Sequence, residues 1–207
     1  MKTQNFKPIL FSTEMVQAIL AGRKTQTRRV CKHQYWQHSE LVDFNINKIH
    51  NKVDKNVSSK YQPGDILWVR ETFAKPPITA FGVRYIHKAG FDRTMCGWKP
   101  SIHMPKEAAR IFLKVTNVRV ERLQDISEED AIAEGIAVSS KVGSDGHYYY
   151  KDYCDKTDLP IVGWMFASTS FETLWQSINA KKHPWESNPW VWVYEFERIE
   201  KPENFLS

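Results

Sequence analysis

The chain has 207 residues, of which 42% are hydrophobic and 26% charged, and its 29 basic and 24 acidic residues give a net charge of +5. This composition excludes disordered, collagen-like and disulfide-scaffold proteins, and no stretch of about 18 apolar residues indicates a membrane helix. Three widely separated cysteines and a polar N-terminus favour a reduced, cytoplasmic protein without a signal peptide.

Hydrophobic periodicity and turn residues predict the helices and strands. In chain order they are a strand at 7–11, a helix at 13–21, strands at 25–30, 66–73, 83–87 and 109–123, helices at 127–134 and 169–179, and a strand at 190–199. The first helix has Ser12 or Thr13 as its N-cap and ends at Gly22. A parity shift near Asn117 predicts a bulge, or a turn between two strands, within 109–123.

Strands dominate this order, and the helices do not alternate regularly with them. This favours an α+β, mainly β fold: a small mixed β-barrel with peripheral short helices. We expect one domain over residues 1–207, with polar loop insertions at 32–60 and 139–160.

The motifs of many cofactor and metal sites are absent from the sequence. It contains no glycine-rich phosphate loop, no CxxC or HExxH pattern and no GxSxG elbow, and its seven histidines lack metal-ligand spacing. We therefore expect a site that uses neither a metal nor a cofactor.

The basic charge is concentrated near the N-terminus. Residues 1–32 contain seven basic residues and only one acidic residue, a local excess of +6. Such an excess suits a nucleotide or polyanionic ligand, and a solvated basic edge is the alternative.

Four of these cations lie in the segment Gly22–Arg29. If a strand begins at residue 25, Thr27 and Arg29 share one face, and Lys24 in the preceding turn can fold back toward Thr27. A desolvated lysine beside another cation loses its proton more readily, and can then act as a general base on a threonine hydroxyl. A basic turn that binds nothing is the alternative.

The pattern Gly22-x-Lys24-x-x-Thr27-x-Arg29 resembles the signature of ASCH domains, a branch of the PUA-like β-barrel superfamily. Other segments that carry this resemblance are Ile19–Gly22, Pro63–Asp65, Trp68–Phe73, Trp98–Pro105, Asp130–Gly135 and Asn188–Trp192. With its insertions, the chain is similar to the larger ASCH proteins of phages and prophages. The resemblance spans nearly the whole chain outside 32–60 and 139–160.

The resemblance implies a metal-independent amidohydrolase that acts on N4-acetylcytidine and related N4-acylated cytosine nucleosides. By position it implies a Thr27 nucleophile, a Lys24 base and a Glu134 that orients Lys24 or donates a proton to the leaving amine. The alternative is a non-catalytic module that binds RNA or a modified base through the same basic cleft.

Seven further residues are predicted to bind the substrate: Arg29, Arg70, Glu71, Trp98, Ser101, His103 and Met104. Glu71 is expected to point inward, where it orients Lys24 or Arg29 or else forms a plain core ion pair. In the loop around residue 101, His103 is suited to a base edge and Trp98 or Met104 to stacking, whereas a rigid surface loop is the alternative.

We expect a monomer whose ligand is a nucleoside or RNA and which has no membrane partner. Trp190 and Trp192 share a face of the last strand and are expected to pack in the core.

Overall fold

The computed structural model describes residues 6–32, 59–76, 84–91, 97–142, 146–155 and 163–206. The chain divides into two compact units. The first consists of Met1–Gly22, Pro63–Thr116 and Phe196–Ser207, and the second of Arg23–Gln62 and Asn117–Glu195. The single domain stays a prediction.

Strands outnumber helices in the described residues. The α-helices are α1 (Thr13–Leu20), α2 (Glu128–Ala133) and α3 (Ala167–Asn179). The strands are β1 (Phe6–Leu10), β2 (Gln26–Val30), β3 (Ile66–Arg70), β4 (Phe73–Ala74), β5 (Ile86–His87), β6 (Phe112–Arg122), β7 (Val138–Val142), β8 (Tyr148–Lys151), β9 (Gly163–Trp164) and β10 (Trp190–Ile199).

The main sheet is mixed and has the strand order β1-β3-β6-β10-β2. In the first unit, β1 pairs in parallel with β3, and β3 pairs antiparallel with the start of β6. In the second unit, β10 pairs antiparallel with β2, and Tyr194 lies opposite Thr27. The mixed α+β class is confirmed. The described strands do not form the predicted closed barrel, because this sheet is open, with β1 and β2 as its edges.

Helix α1 begins at the predicted residue and ends one residue before its predicted end. The hydroxyl of Ser12 accepts a hydrogen bond from the backbone N–H of Met15 at 3.3 Å, which caps the first turn. Gly22 follows the helix with a φ of 72°, a left-handed conformation that glycine adopts without steric cost. The chain therefore leaves α1 sharply and reaches Lys24 two residues later.

The prediction of a turn within residues 109–123 is wrong, because β6 is one continuous strand. Thr116 and Asn117 are nevertheless both exposed, so the alternation of buried and exposed side chains changes phase there. The side-chain oxygen of Asn117 accepts a hydrogen bond from the N–H of Val118 at 2.9 Å, which explains the shift without a break in the strand.

The predicted loop at 139–160 is also wrong for its described part, because β7, β8 and β9 form a small antiparallel sheet in that order. Tyr148, Tyr149 and Tyr150 are strong strand formers, and three in a row favour a strand even within a polar segment. Gly163 is required in β9, because a Cβ there would lie 2.5 Å from the Cβ of Tyr149. Most of the other predicted insertion, residues 33–58, lies outside the described residues.

Each unit has its own apolar core. In the second unit, Phe171 and Trp175 of α3 pack against Val191 and Val193 of β10. Trp190 and Trp192 are 6% and 7% exposed, which confirms their predicted place in the core. In the described residues, no helix is long and apolar enough to cross a membrane.

The core of the first unit surrounds Phe205, which is fully buried. Its ring centroid lies 4.7 Å from that of Phe112, 5.3 Å from that of Phe6 and 6.1 Å from that of Trp68. Lys106 adds a cation at 4.6 Å from the ring centroid.

Phe205→Ala is expected to lower the free energy of unfolding by about 3–5 kcal/mol, because it removes a ring contacted on several sides. Urea denaturation measures the change. Leu206→Ala is the control, since Leu206 is 52% exposed. Equal losses in the two variants would contradict the central place of Phe205.

Candidate active site

The candidate site is built where the chain after α1 meets the end of α2, wholly within the second unit. Ser127 caps α2 by accepting a hydrogen bond from the N–H of Asp130 at 3.1 Å. Glu134 is the C-cap residue, and Gly135 ends the helix with a φ of 88°. Lys24 and Glu134 form an isolated antiparallel bridge, which brings together backbone segments far apart in the sequence.

The side chains of Lys24 and Glu134 form a buried ion pair. The amine of Lys24 donates to Oε2 of Glu134 at 2.7 Å and to the backbone oxygen of Glu134 at 2.8 Å. The Lys24 side chain is 0% exposed and that of Glu134 is 4% exposed. Lys24 and Glu134, two of the three predicted catalytic residues, are therefore brought together.

Burial lowers the pKa of the Lys24 amine. The positive charges of Arg29 and Arg28 act in the same direction, and the attraction of Glu134 opposes them without outweighing burial. The Lys24 amine therefore loses its proton at a lower pH than an ordinary lysine amine does.

A third member of this cluster, Arg28, was missed by the sequence analysis. Its Nη1 donates to Oε1 of Glu134 at 3.1 Å, so each carboxylate oxygen of Glu134 accepts from a different cation. Gln26 also reaches α2 and donates to the backbone oxygen of Asp130 at 2.6 Å. Strand alternation places positions 24, 26 and 28 on one face, but nothing local in the sequence indicates that Glu134 lies opposite that face.

Arg28 continues the cluster toward the surface. Its Nε and Nη2 donate to Oε1 of Glu121 at 2.9 and 2.6 Å, and Nη2 also donates to Oδ2 of Asp130 at 2.7 Å. Arg119 donates to Oε2 of Glu121 at 3.2 Å, to Oδ2 of Asp130 at 2.5 Å and to Oε1 of Glu195.

We call this set of side chains the charge network: Lys24, Glu134, Arg28, Glu121, Asp130, Arg119 and Glu195. It contains three cations and four carboxylates. Side-chain exposure rises along it, from 0% at Lys24 and 1% at Arg28 to 30% at Arg119 and 37% at Glu195. In the described part of the chain, no group of three or more His, Cys, Asp or Glu side chains is arranged to hold a metal ion.

Thr27, the third predicted catalytic residue, lies on β2 and is 1% exposed. Strand alternation directs its side chain to the face opposite that of Arg28. Among the described residues, no hydrogen bond joins the Thr27 hydroxyl to the Lys24 amine. Arg29, on the Thr27 face and only partly buried, is close enough to Glu134 to interact with it electrostatically.

The other predicted substrate-binding residues lie in the first unit. Glu71 is 1% exposed, which confirms that it points inward. Its carboxylate accepts from Nε and Nη2 of Arg110 at 2.9 and 3.0 Å, so Glu71 forms an ion pair with Arg110 within this unit. Arg70 stacks over the ring of Trp68 and donates to the backbone oxygen of Ile102.

The loop after residue 97 is held against β4. Phe73 and Lys99 exchange backbone hydrogen bonds of 3.1 and 2.7 Å. Met104 is 1% exposed, and its sulfur accepts from the N–H of Glu71 at 3.2 Å, so its side chain packs in the core. Trp98 and Ser101 are partly exposed and His103 is exposed. Of the four residues of this loop that are predicted to bind the substrate, these three are therefore accessible and Met104 is not.

The two units differ in charge. The first contains 13 basic and 8 acidic residues, and the second contains 16 of each. The basic residues from Arg23 to Lys32 are thus balanced within their own unit, and the net charge of the chain belongs to the first.

Comparisons with known proteins do not establish the family of this chain. No family model and no curated protein matches it. The crystal structure of protein EF3133 from Enterococcus faecalis V583, described with the family model DUF984, is similar with a TM-score of 0.42 and 11% sequence identity. The likeness covers 97% of this chain and 78% of that one.

Asp130→Asn is expected to destabilise the fold by about 1–3 kcal/mol at pH 7, because two arginines lose a shared carboxylate. Burial alone would raise the pKa of Asp130, but Arg119 and Arg28 outweigh it and lower that pKa. The advantage of the wild type is therefore complete above the unfolded-state pKa of about 4 and is lost as the pH falls further.

Urea denaturation at pH 7 and pH 3 measures this difference in the free energy of unfolding. Asp125→Asn, at an exposed position in the same unit, is the matched control. A difference between wild type and Asp130→Asn that is as large at pH 3 as at pH 7 would contradict the electrostatic explanation.

Proposed function

We propose that the protein is a metal-independent amidohydrolase of N4-acylated cytosine nucleosides and has an ASCH-type, PUA-like fold. The observation that carries the proposal is the buried contact between the Lys24 amine and the Glu134 carboxylate. The resemblance to ASCH domains assigns these two residues to one site, although they lie 110 positions apart. Thr27, the proposed nucleophile, follows Lys24 by three positions and is buried on the adjoining strand.

In the proposed reaction, the neutral amine of Lys24 takes the proton of the Thr27 hydroxyl as its oxygen attacks the acyl carbon. This contact forms in the substrate complex, because no hydrogen bond joins the two groups in the described residues. The bond between that carbon and N4 of the cytosine then breaks, and Lys24 returns the proton to the departing amino group. Water hydrolyses the resulting threonine ester with Lys24 again as base, which releases a carboxylic acid and restores Thr27. The lowered pKa of Lys24 supports this role, because a base must be unprotonated when it acts.

Of the two roles considered for Glu134, its contacts favour orienting Lys24 over protonating the leaving amine. Both carboxylate oxygens accept hydrogen bonds from cations, Lys24 at 2.7 Å and Arg28 at 3.1 Å. A carboxyl group engaged in this way acts as an acceptor rather than as a proton donor.

Lys24→Ala and Thr27→Ala are each expected to lower kcat/KM on N4-acylcytidines by about 10²–10⁴-fold or more, because they remove the base and the nucleophile. A panel of N4-acylcytidines with different acyl groups measures the activity. Thr25→Ala is the control, since Thr25 is exposed just before the same strand. The enzyme proposal fails if the folded wild-type protein turns over no member of the panel.

A second candidate function is binding of RNA or a modified base without chemistry. The observation that favours it is the charge of the first unit, which has five more basic than acidic residues. The segment Gly22–Arg29 supports it less, because the charges of Lys24 and Arg28 are already compensated by carboxylates. Exposed Lys88 and Lys99, beside the aromatic residues Phe91 and Trp98, offer a more accessible cationic surface.

If this surface binds single-stranded RNA, affinity is expected to fall with salt, with a slope of about −0.7 per phosphate contacted in a plot of log affinity against log salt. Lys88→Ala and Lys99→Ala are expected to weaken binding and flatten that slope, as measured by fluorescence anisotropy. Lys181→Ala and Lys182→Ala, at exposed positions in the second unit, are the matched controls. Salt-independent binding, or equal effects in both pairs, would rule out this surface.

A further inference from the structure

Arg28 belongs to the charge network, but the proposed reaction assigns it no role. We infer that Arg28 is a positioning residue for the Lys24–Glu134 pair. By donating to Oε1 of Glu134, Arg28 keeps this carboxylate charged, while Oε2 of Glu134 accepts from the Lys24 amine. The inference rests on the proposed function for its catalytic meaning. The electrostatic effect of Arg28 on Lys24 is measurable without any turnover.

A buried lysine paired with a buried carboxylate has two ways to avoid isolated charge. The two groups can remain an ion pair, or the proton can pass from the lysine to the carboxylate and leave both groups neutral. In the second state, Glu134 would no longer hold Lys24 through the charge-assisted hydrogen bond seen at 2.7 Å.

Arg28 disfavours that second state. A guanidinium group stays protonated at all ordinary pH values, so Glu134 faces a permanent cation 3.1 Å away whatever the charge of Lys24. Lys24 can therefore gain and lose its proton during a reaction cycle while the carboxylate remains charged and in place.

The surroundings of Arg28 make this arrangement rigid. Its side chain is 1% exposed, and all three of its nitrogens donate to carboxylates. Glu121 and Asp130 provide two of these carboxylates, and the ring of Phe171 lies 5.7 Å from the guanidinium carbon. Glu121 and Asp130 thus compensate the charge of Arg28, so that its bond to Glu134 is available for positioning.

The effect is electrostatic and does not involve proton transfer along the network. An arginine does not release its proton, so no proton passes from Glu134 along the network through Arg28. Among the described residues, the charged groups that act on Lys24 are Glu134, Arg28 and Arg29. Of the two arginines, Arg28 is the one that contacts Glu134 directly in the described residues. It is also linked to Arg119, because both arginines bind the carboxylate of Asp130.

Arg28→Met tests the inference by removing the charge while keeping much of the side-chain volume. Loss of a neighbouring cation raises the pKa of Lys24, so the acid limb of the kcat/KM profile should move upward by about 1–2 pH units. The titration of Lys24 itself, followed by the ¹³C NMR signal of its Cε, should shift by the same amount. That signal is assigned by its absence in Lys24→Ala.

Arg28→Lys retains the charge and should restore both midpoints to within a fraction of a unit, even where it weakens binding geometry. Arg122→Met is the matched control, because Arg122 lies on β6 and contacts the Trp190 ring and the Asn188 carbonyl instead. It should leave both midpoints unchanged.

A uniform loss of activity in Arg28→Met at every pH, with an unshifted Lys24 titration, would overturn the inference and leave Arg28 a structural role. If Arg28→Met does not fold, Arg28→Lys and Arg119→Met decide, since Arg119 is more exposed and its loss should raise both midpoints by a smaller amount. If the wild type shows no turnover, the proposed function fails, and the NMR midpoints still decide whether Arg28 controls the pair.

Discussion

The buried pair of Lys24 and Glu134 is the constraint on which the rest of the candidate site depends. Removing a lysine and a carboxylate from water costs several kcal/mol per ion unless each is well paired and hydrogen-bonded. The cap of α2 at Ser127, the backbone bridge at Glu134 and the sharp exit of the chain at Gly22 all serve to bring the two groups to 2.7 Å. Without this geometry, either charge would be isolated in the core of the second unit.

The charge network follows from that constraint. Glu134 alone carries one negative charge against Lys24 and Arg28, so further carboxylates are needed as the cluster extends outward. Glu121 and Asp130 supply them, and Arg119 and Glu195 continue the alternation of sign to groups that are about one-third exposed. Burial of the amine is thereby reconciled with a network whose outer members are hydrated.

The same pairing changes the meaning of the basic segment near the N-terminus. A sequence count over residues 1–32 finds an excess of six basic residues, which resembles a surface for a polyanion. In the folded chain, Lys24 and Arg28 point at carboxylates contributed from residues 121–134, and the second unit is neutral as a whole. The charge of this segment therefore tunes a buried amine, and the net charge of the chain resides in the first unit.

The elements next to the site were predictable because their signals are local. Caps and glycines set the ends of α1 and α2, and hydrophobic periodicity set α3 and β10, all within a few residues of the observed bounds. The small sheet of β7, β8 and β9 was not predictable in the same way, because a polar segment forms strands only where partner strands satisfy its backbone.

The sequence by itself determined the helices and strands next to the site. Motif spacing singled out Lys24 and Thr27, and the family resemblance added Glu134. Only the tertiary structure decided that Arg28 belongs with Lys24 and Glu134, that Glu71 is held by Arg110, and that Met104 lies in the core. The physical reason is that a charge is compensated by whichever opposite charge the fold brings within hydrogen-bond distance. Partners such as Arg28 and Glu134, 106 positions apart, leave no periodic trace in the sequence.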